Sequence, residues 1–464
     1  MSKELEDKVR ELAEEFNVVG VAVGVLLDGE EHYVFHGVTS VENPLPVDET
    51  TYFQFGSTGK TYTATAMMRL VEQGKVDLNA PVRTYLPEFA LKDESVAASV
   101  TVLQLFNHTA GWEGDMMDDT GDGDDAVEKY VARMVKLEQV TPLGATVSYN
   151  NASLSVAGRI IEKVTGTTYE QAIRDLLLKP LGMDQTLFFP NEIMTRRFVV
   201  GHARKDDGEV SIARPWWLPR GNMPAGGISS TARDQIAWAK FHLGDGTAAD
   251  GTRVLSKETL DRMKQPTAEM RGSALGDYVG ISWLMKDVAG VRIVGHGGTT
   301  NGQYSEFVTV PERGFALISM TNTGPGGSQL NTALEKWALE HFLGLVDVEP
   351  EQLTLGEEAL EAFTGRFETI AAIVDVTADG GRLLAKIQMK PDFAAMLREQ
   401  GEDVPDEQPP FPLALLAGDG DQFIVSDGPA KGMKGYFTRD DSSRVVGVHL
   451  GGRLATRPDA VVPA

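Results

Sequence analysis

The chain predicts an α+β fold in two parts: a large domain with an antiparallel sheet, flanking helices and a helical region, then a small antiparallel β-barrel. Apolar β-rich runs stand near the start, "VVGVAVGVLL" and "EHYVFHGVTS", and again far downstream, "VRIVGHGG", "GQYSEFVTV" and "FALISMTNT", with helical patterns between them. One sheet assembled from distant segments accommodates both sets. From about Phe363 the texture changes to short alternating strands separated by turns. At 464 residues the chain also exceeds one ordinary hydrophobic core. The expected divisions are 1–346, a linker over 347–357 containing most of "VDVEPEQLTLGEE", and a barrel over 358–464.

In chain order, "MSKELEDKVRELAEEF" reads as an amphipathic helix with Leu5, Val9, Leu12 and Phe16 on one face. "DGEE" joins the first two strands as a hairpin. A helix over 58–74 carries Ala64, Met67, Met68 and Val71 at helical spacing, with Gly74 as C-cap. A second carries Leu154, Ala157, Ile160, Ile161 and Val164 and stops at Gly166. A third spans 329–342 through Leu330, Leu334, Trp337 and His341. In the barrel, "RLLAKIQM" turns Leu383, Ala385, Ile387 and Met389 to one side after the turn "ADGG", and "QFIVSDG", "GYFTRDD" and "RVVGVHLGG" continue the pattern.

Composition excludes several functions. With 42% hydrophobic and 24% charged residues the chain is globular rather than disordered. It has no cysteine, which removes disulfides, thiolate metal sites and a cysteine nucleophile. A formal charge of −24 argues against a nucleic-acid partner, which needs clustered Lys and Arg. No run approaches a membrane span and the start lacks an apolar leader core, so a cytoplasmic protein without a membrane partner is expected. A small-molecule substrate, a homo-oligomeric assembly and no cofactor or metal complete the expectation. The acidic run "GDMMDDTGDGDDAVE" fails as a calcium loop, because Thr120 and Lys129 occupy positions that call for carboxylate ligands. It reads as a solvated loop, and its place after "HTAGW" allows a lid.

The stretch "GSTGKT", 56–61, has two readings. A phosphate loop needs its first glycine where Gln54 stands, so the backbone there lacks the permissive residue. The other reading is Ser57-x-x-Lys60, with both side chains on one side of a first helical turn. Acyl transfer from Ser57 needs a base, a second proton carrier and an oxyanion hole. Lys60 serves as base only if burial lowers its pKa. Tyr149 and Asn151, two residues apart before a helix, offer a proton carrier and an amide contact. "GHGGTTNG" brings His296 and Gly298 to a strand end, where the N–H of Thr299 would complete an oxyanion hole with that of Ser57. Taken singly, the same residues read as surface helix chemistry, a packed ring with an N-cap, and a strand-end histidine. Trp216 and Trp217 in "RPWWLPRGNMP" either line an acyl pocket or pack between helices.

With "VTVLQLFNHTAGW", "LNAPVRTYLPEF" and "MPAGGISSTARDQIAWAKF", these motifs make the chain resemble, over about Val18 to Leu343, the serine β-lactamase and penicillin-recognising family. Within it the chain is most similar to class C β-lactamases, the esterases of that fold and D-aminopeptidase-like hydrolases. The resemblance implies a β-lactamase/transpeptidase-like domain with Ser57 acylated, Lys60 as its base partner, Tyr149 as proton shuttle and Asn151 as substrate contact. Many members carry Lys-Thr-Gly where this chain has His296-Gly297-Gly298. That departure points to the peptidase and esterase branches and to minor β-lactamase activity at most. His296 would then be a hydrogen-bond donor beside the site. The C-terminal part resembles the lipocalin-like domains appended to some of these hydrolases, which implies a role in substrate access or assembly, or in stability alone. The expected activity is ester, lactone or small amide hydrolysis; the alternative is a binding or sensor protein with little turnover.

Overall fold

The computed structural model describes residues 2–204, 208–348, 350–399, 409–418, 420–428 and 430–459. Helix α1 (Ser2–Glu15) leads into strands β1 (Gly20–Leu27) and β2 (Glu30–Gly37), which pair antiparallel as the hairpin expected. Helix α2 (Lys60–Glu72) follows a 3-10 turn over Gly56–Gly59; α3 (Ala152–Thr165) and α4 (Ala232–Leu243) follow, with shorter helices and turns between them. Then come β3 (Ala268–Ser273), β4 (Gly276–Val279), β5 (Leu284–Val288), β6 (Val291–Thr300), β7 (Gln303–Val310), β8 (Phe315–Thr321) and α5 (Gly326–Leu343). The eight strands form one antiparallel sheet in the order β2-β1-β8-β7-β6-β5-β4-β3. The N-terminal hairpin thus pairs with a strand far downstream, Val23 opposite Ser319.

Helices cover both sheet faces, which is why β1 reads as an unbroken apolar run. Val21, Val23 and Val25 pack with Leu5 and Val9 of α1 and Leu330 and Leu334 of α5. Ala22 and Leu26 face the opposite core, which holds Tyr62, Met67 and Trp238. Each fully buried valine or leucine contributes about 1.5–3 kcal/mol by transfer from water. Three strands, β3 to β5, go beyond the sequence reading. They are short, carry charged residues among the apolar ones, and show no clean alternation. Helix α5 starts at Gly326, ahead of the expected 329.

The barrel comprises β9 (Gly365–Glu368), β10 (Ala372–Asp379), β11 (Arg382–Met389), β12 (Phe411–Leu415), β13 (Gln422–Val425), β14 (Lys434–Arg439), β15 (Val445–Leu450) and β16 (Arg453–Thr456). It is closed, around a core that includes Phe367, Val376, Phe423, Phe437 and Val448. Part of the linker runs along it: Leu353 N donates to Leu415 O (2.7 Å) and Ala417 N to Glu351 O (2.9 Å). Among the described residues, no helix is long and apolar enough to cross a membrane.

The sheet leaves one edge free for the site. Pairing between β5 and β6 ends at Leu284 opposite Gly295, so residues 296–300 of β6 keep only β7 as neighbour. Their other edge is open to the turn that carries Ser57.

Candidate active site

Two glycines let that turn and the open edge meet. Gly56 is left-handed (φ +53°), and a Cβ there would fall 2.6 Å from both N and O of Thr299. A Cβ on Gly298 would fall 1.9 Å from the carbonyl oxygen of Phe55. Any side chain would push the strand away from the turn. The junction is pinned by Thr58 Oγ1 donating to His296 O (2.9 Å) and Ser305 Oγ donating to Phe55 O (2.7 Å). Gln54, which breaks the phosphate-loop pattern, donates its backbone N–H to Gln303 Oε1 (2.9 Å).

Ser57 lies on the 3-10 turn and Lys60 begins α2. Lys60 has no exposed surface; its Nζ lies 2.9 Å from Ser57 Oγ and donates to Ala225 O at 2.7 Å. Burial, and then the charge of Arg453, hold its pKa well below the ordinary lysine value, against a smaller opposite effect of Asp115. Nζ also stands 4.9 Å from the ring centroid of Tyr149. Burial pushes the Tyr149 phenol well above its usual range, with Ser57 acting in the opposite sense. The Tyr149 hydroxyl closes no hydrogen bond of regular geometry with any described residue.

Two asparagines divide their tasks before α3. Asn150 is the capping side chain: its Oδ1 accepts from Ser153 N (2.9 Å) and its Nδ2 donates to Trp112 O (2.7 Å). That leaves Asn151 free to donate through Nδ2 to Asp115 Oδ1 at 2.8 Å. His296 differs from the expected donor. Its Nδ1 lies 2.6 Å from the carbonyl of Gly297, which only accepts, so the proton sits on Nδ1 and the buried, unpartnered Nε2 is an acceptor. Burial, and then Lys60, push its pKa down to about 3, which keeps the ring neutral.

A cavity of about 350 Å³ is lined by Ser57, Tyr149, Asn151, His296, Gly298 and Thr299. The tryptophans are elsewhere. Trp216 lines a separate cleft of about 660 Å³ with Phe198 and Arg214, its indole N–H donating to Val199 O (2.8 Å). Trp217 is 39% exposed and lines neither space. Among the described residues, no group of three or more acidic or histidine side chains is arranged to hold a metal ion.

The same cavity contains a residue from the barrel. Arg453, at the start of β16, makes a bidentate pair with Asp115 (2.5 and 2.9 Å) and lies 5.2 Å from the centroid of the Tyr149 ring. The preceding turn is bound to the second motif, with Tyr149 N donating to Gly452 O (2.9 Å) and Leu454 N to Ser148 Oγ (3.3 Å). Asp115 belongs to the acidic run that reads as a solvated loop; this residue is instead largely buried and ion-paired. Burial raises its pKa, and Arg453 with Asn151 more than offsets that, leaving the carboxylate below its ordinary value. Sequence reading misses this pair because neither residue belongs to a local motif and 338 positions separate them.

A Beta-lactamase family model matches residues 5–340, and the chain belongs to that family, whose members include serine hydrolases. Penicillin-binding protein 4 of Amycolatopsis lactamdurans is 36% identical over 316 residues, covering 68% of this chain and 83% of that protein. The crystal structure of SurE is similar over 98% of this chain and 99% of its own, at 25% identity and a TM-score of 0.77. The octameric penicillin-binding protein homologue from Pyrococcus abyssi shares the fold over 98% of each chain, at 22% identity and a TM-score of 0.66. The last two likenesses extend through the barrel.

Proposed function

We propose that the protein is a serine hydrolase acting through an acyl-enzyme on Ser57, cleaving an ester, a lactone or a small amide or peptide bond, in the last case beside a D-residue. The observation that carries this is Lys60: fully buried, 2.9 Å from Ser57 Oγ, with a carbonyl rather than a carboxylate as its other partner. A neutral amine there donates one N–H to Ala225 O and keeps its lone pair for the Ser57 proton. Oγ then attacks the substrate carbonyl, and the N–H groups of Ser57 and Thr299 hold the oxyanion. Tyr149, protonated at neutral pH, passes its proton to the leaving group and regains from Lys60 the proton taken from Ser57; water, giving up a proton to Lys60, then attacks the acyl carbonyl, and Ser57 leaves reprotonated. A cavity of about 350 Å³ suits a small substrate or the end of a larger one. Homo-oligomeric assembly and cytoplasmic residence belong to the same proposal.

A turnover screen tests it, pairing p-nitrophenyl esters, lactones, D- and L-aminoacyl amides and a β-lactam. Turnover of an ester, lactone or D-aminoacyl amide that is lost in Ser57→Ala is the expected result. Equal turnover by Ser57→Ala contradicts it, and acylation without turnover favours the sensor reading.

A further inference from the structure

On the far side of the open strand edge the cavity contains a carboxylate that the proposed chemistry does not use. Glu306 on β7 is paired in register with Gly297 on β6, and a Cβ at Gly297 would stand 3.2 Å from Glu306 Oε2. The carboxylate therefore lies alongside the residue that follows His296. It lines the same cavity as Ser57 and Thr299, with Tyr304 and Ser328 beside it. No hydrogen bond or ion pair joins it to another described residue. The cation that acts on it, Lys286, is bound 2.9 Å from Glu335 Oε1. Two carboxylates thus share one lysine, and when both are ionised one negative charge is unmatched.

One further buried group in this cavity has no partner among the described residues: His296 Nε2, in a residue 2% exposed. Arg453, the cavity's own cation, is committed to Asp115. Resting on the acyl-enzyme reading above, we infer that Glu306 is the anchor for a primary ammonium group of the substrate, so that the substrates are amine-bearing esters or amides. Gly297 stands roughly 7 Å along β6 from Thr299, and Glu306 points to the sheet face opposite that of its neighbour Ser305, whose Oγ donates to Phe55 O, so the ammonium is reached around the open strand edge, at least several bonds from the carbonyl under attack. Burial, followed by Glu335, raises the Glu306 pKa to about 8, against an opposite effect of Lys286. An arriving ammonium supplies the counter-charge that keeps the carboxylate ionised.

The test compares p-nitrophenyl 6-aminohexanoate with p-nitrophenyl heptanoate, in the wild type, Glu306→Gln and Glu306→Asp. A charge-assisted hydrogen bond predicts a wild-type preference in kcat/KM of roughly tenfold or more for the amine, collapsing toward one in Glu306→Gln and partly kept in Glu306→Asp. Equal wild-type values, or a preference unchanged in Glu306→Gln, overturn the inference. If neither ester is turned over, the acyl-enzyme reading is judged separately by the fluorophosphonate adduct on Ser57, and binding decides the subsite. Hexylammonium is then expected to raise the Tm of the wild type more than 1-hexanol does, and to lose that advantage in Glu306→Gln; no difference between the two ligands overturns it.

Discussion

An ammonium with no exposed surface and no carboxylate in hydrogen-bond reach costs several kcal/mol to keep charged. Lys60 is in that position, and losing its proton relieves the cost while creating a base for Ser57. Its folded pKa lies below its unfolded value of about 10.4, so between the two the unfolded chain binds more protons. Stability therefore rises with pH across that window and falls as pH drops toward the folded value. The rate follows the same proton, rising with pH as Lys60 becomes neutral. Lys60→Met is predicted to lower kcat by about a thousandfold or more, to keep the fold, and to remove this part of the pH dependence of stability in urea titrations. A variant that unfolds, or that keeps wild-type kcat, contradicts the assignment.

At the scale of elements, the site is the contact between a 3-10 turn and the unpaired end of β6. Gly298→Ala puts a methyl group where the Phe55 carbonyl stands, so the strand must shift. A displacement of about an ångström costs about a hundredfold in rate, and kcat/KM is predicted to fall by about that factor with the far-ultraviolet circular dichroism unchanged. A variant as active as the wild type would show that the contact is not needed. This contact is legible in the sequence, because Gly56 precedes Ser57 and Gly298 closely follows His296. Asn151 is legible too, although the adjacent Asn150 does the capping that the pattern leaves open. The orientation of His296 is not, since only the Gly297 carbonyl decides which ring nitrogen holds the proton.

The whole molecule adds what no local motif contains. The barrel is bound to the larger domain at the motif that carries Tyr149, through Arg453 with Asp115 and Gly452 with Tyr149. It is bound again nearby, where Gln422 Nε2 donates to Arg271 O (2.7 Å) and Arg271 lies over the Tyr436 ring. The barrel is readable from its alternating strands, but its contact with Tyr149 depends on tertiary docking. Trp216 and Trp217 show the converse: an aromatic pair suggests a pocket, and packing takes one of them to another cleft. Arg453→Met leaves the Asp115 carboxylate without its partner and is predicted to cost on the order of 2 kcal/mol, since the pair is partly solvated. It also lowers kcat/KM by about tenfold or more, because the residue lines the cavity. Unchanged melting temperature and activity would make the barrel an appendage.

The central claim is that Ser57 is the activated nucleophile, and intact mass spectrometry after exposure to a fluorophosphonate reads it directly as a phosphonyl adduct. One adduct, mapped to Ser57 and absent in Ser57→Ala, is the predicted result. No adduct on a folded protein, or the same adduct in Ser57→Ala, would contradict it.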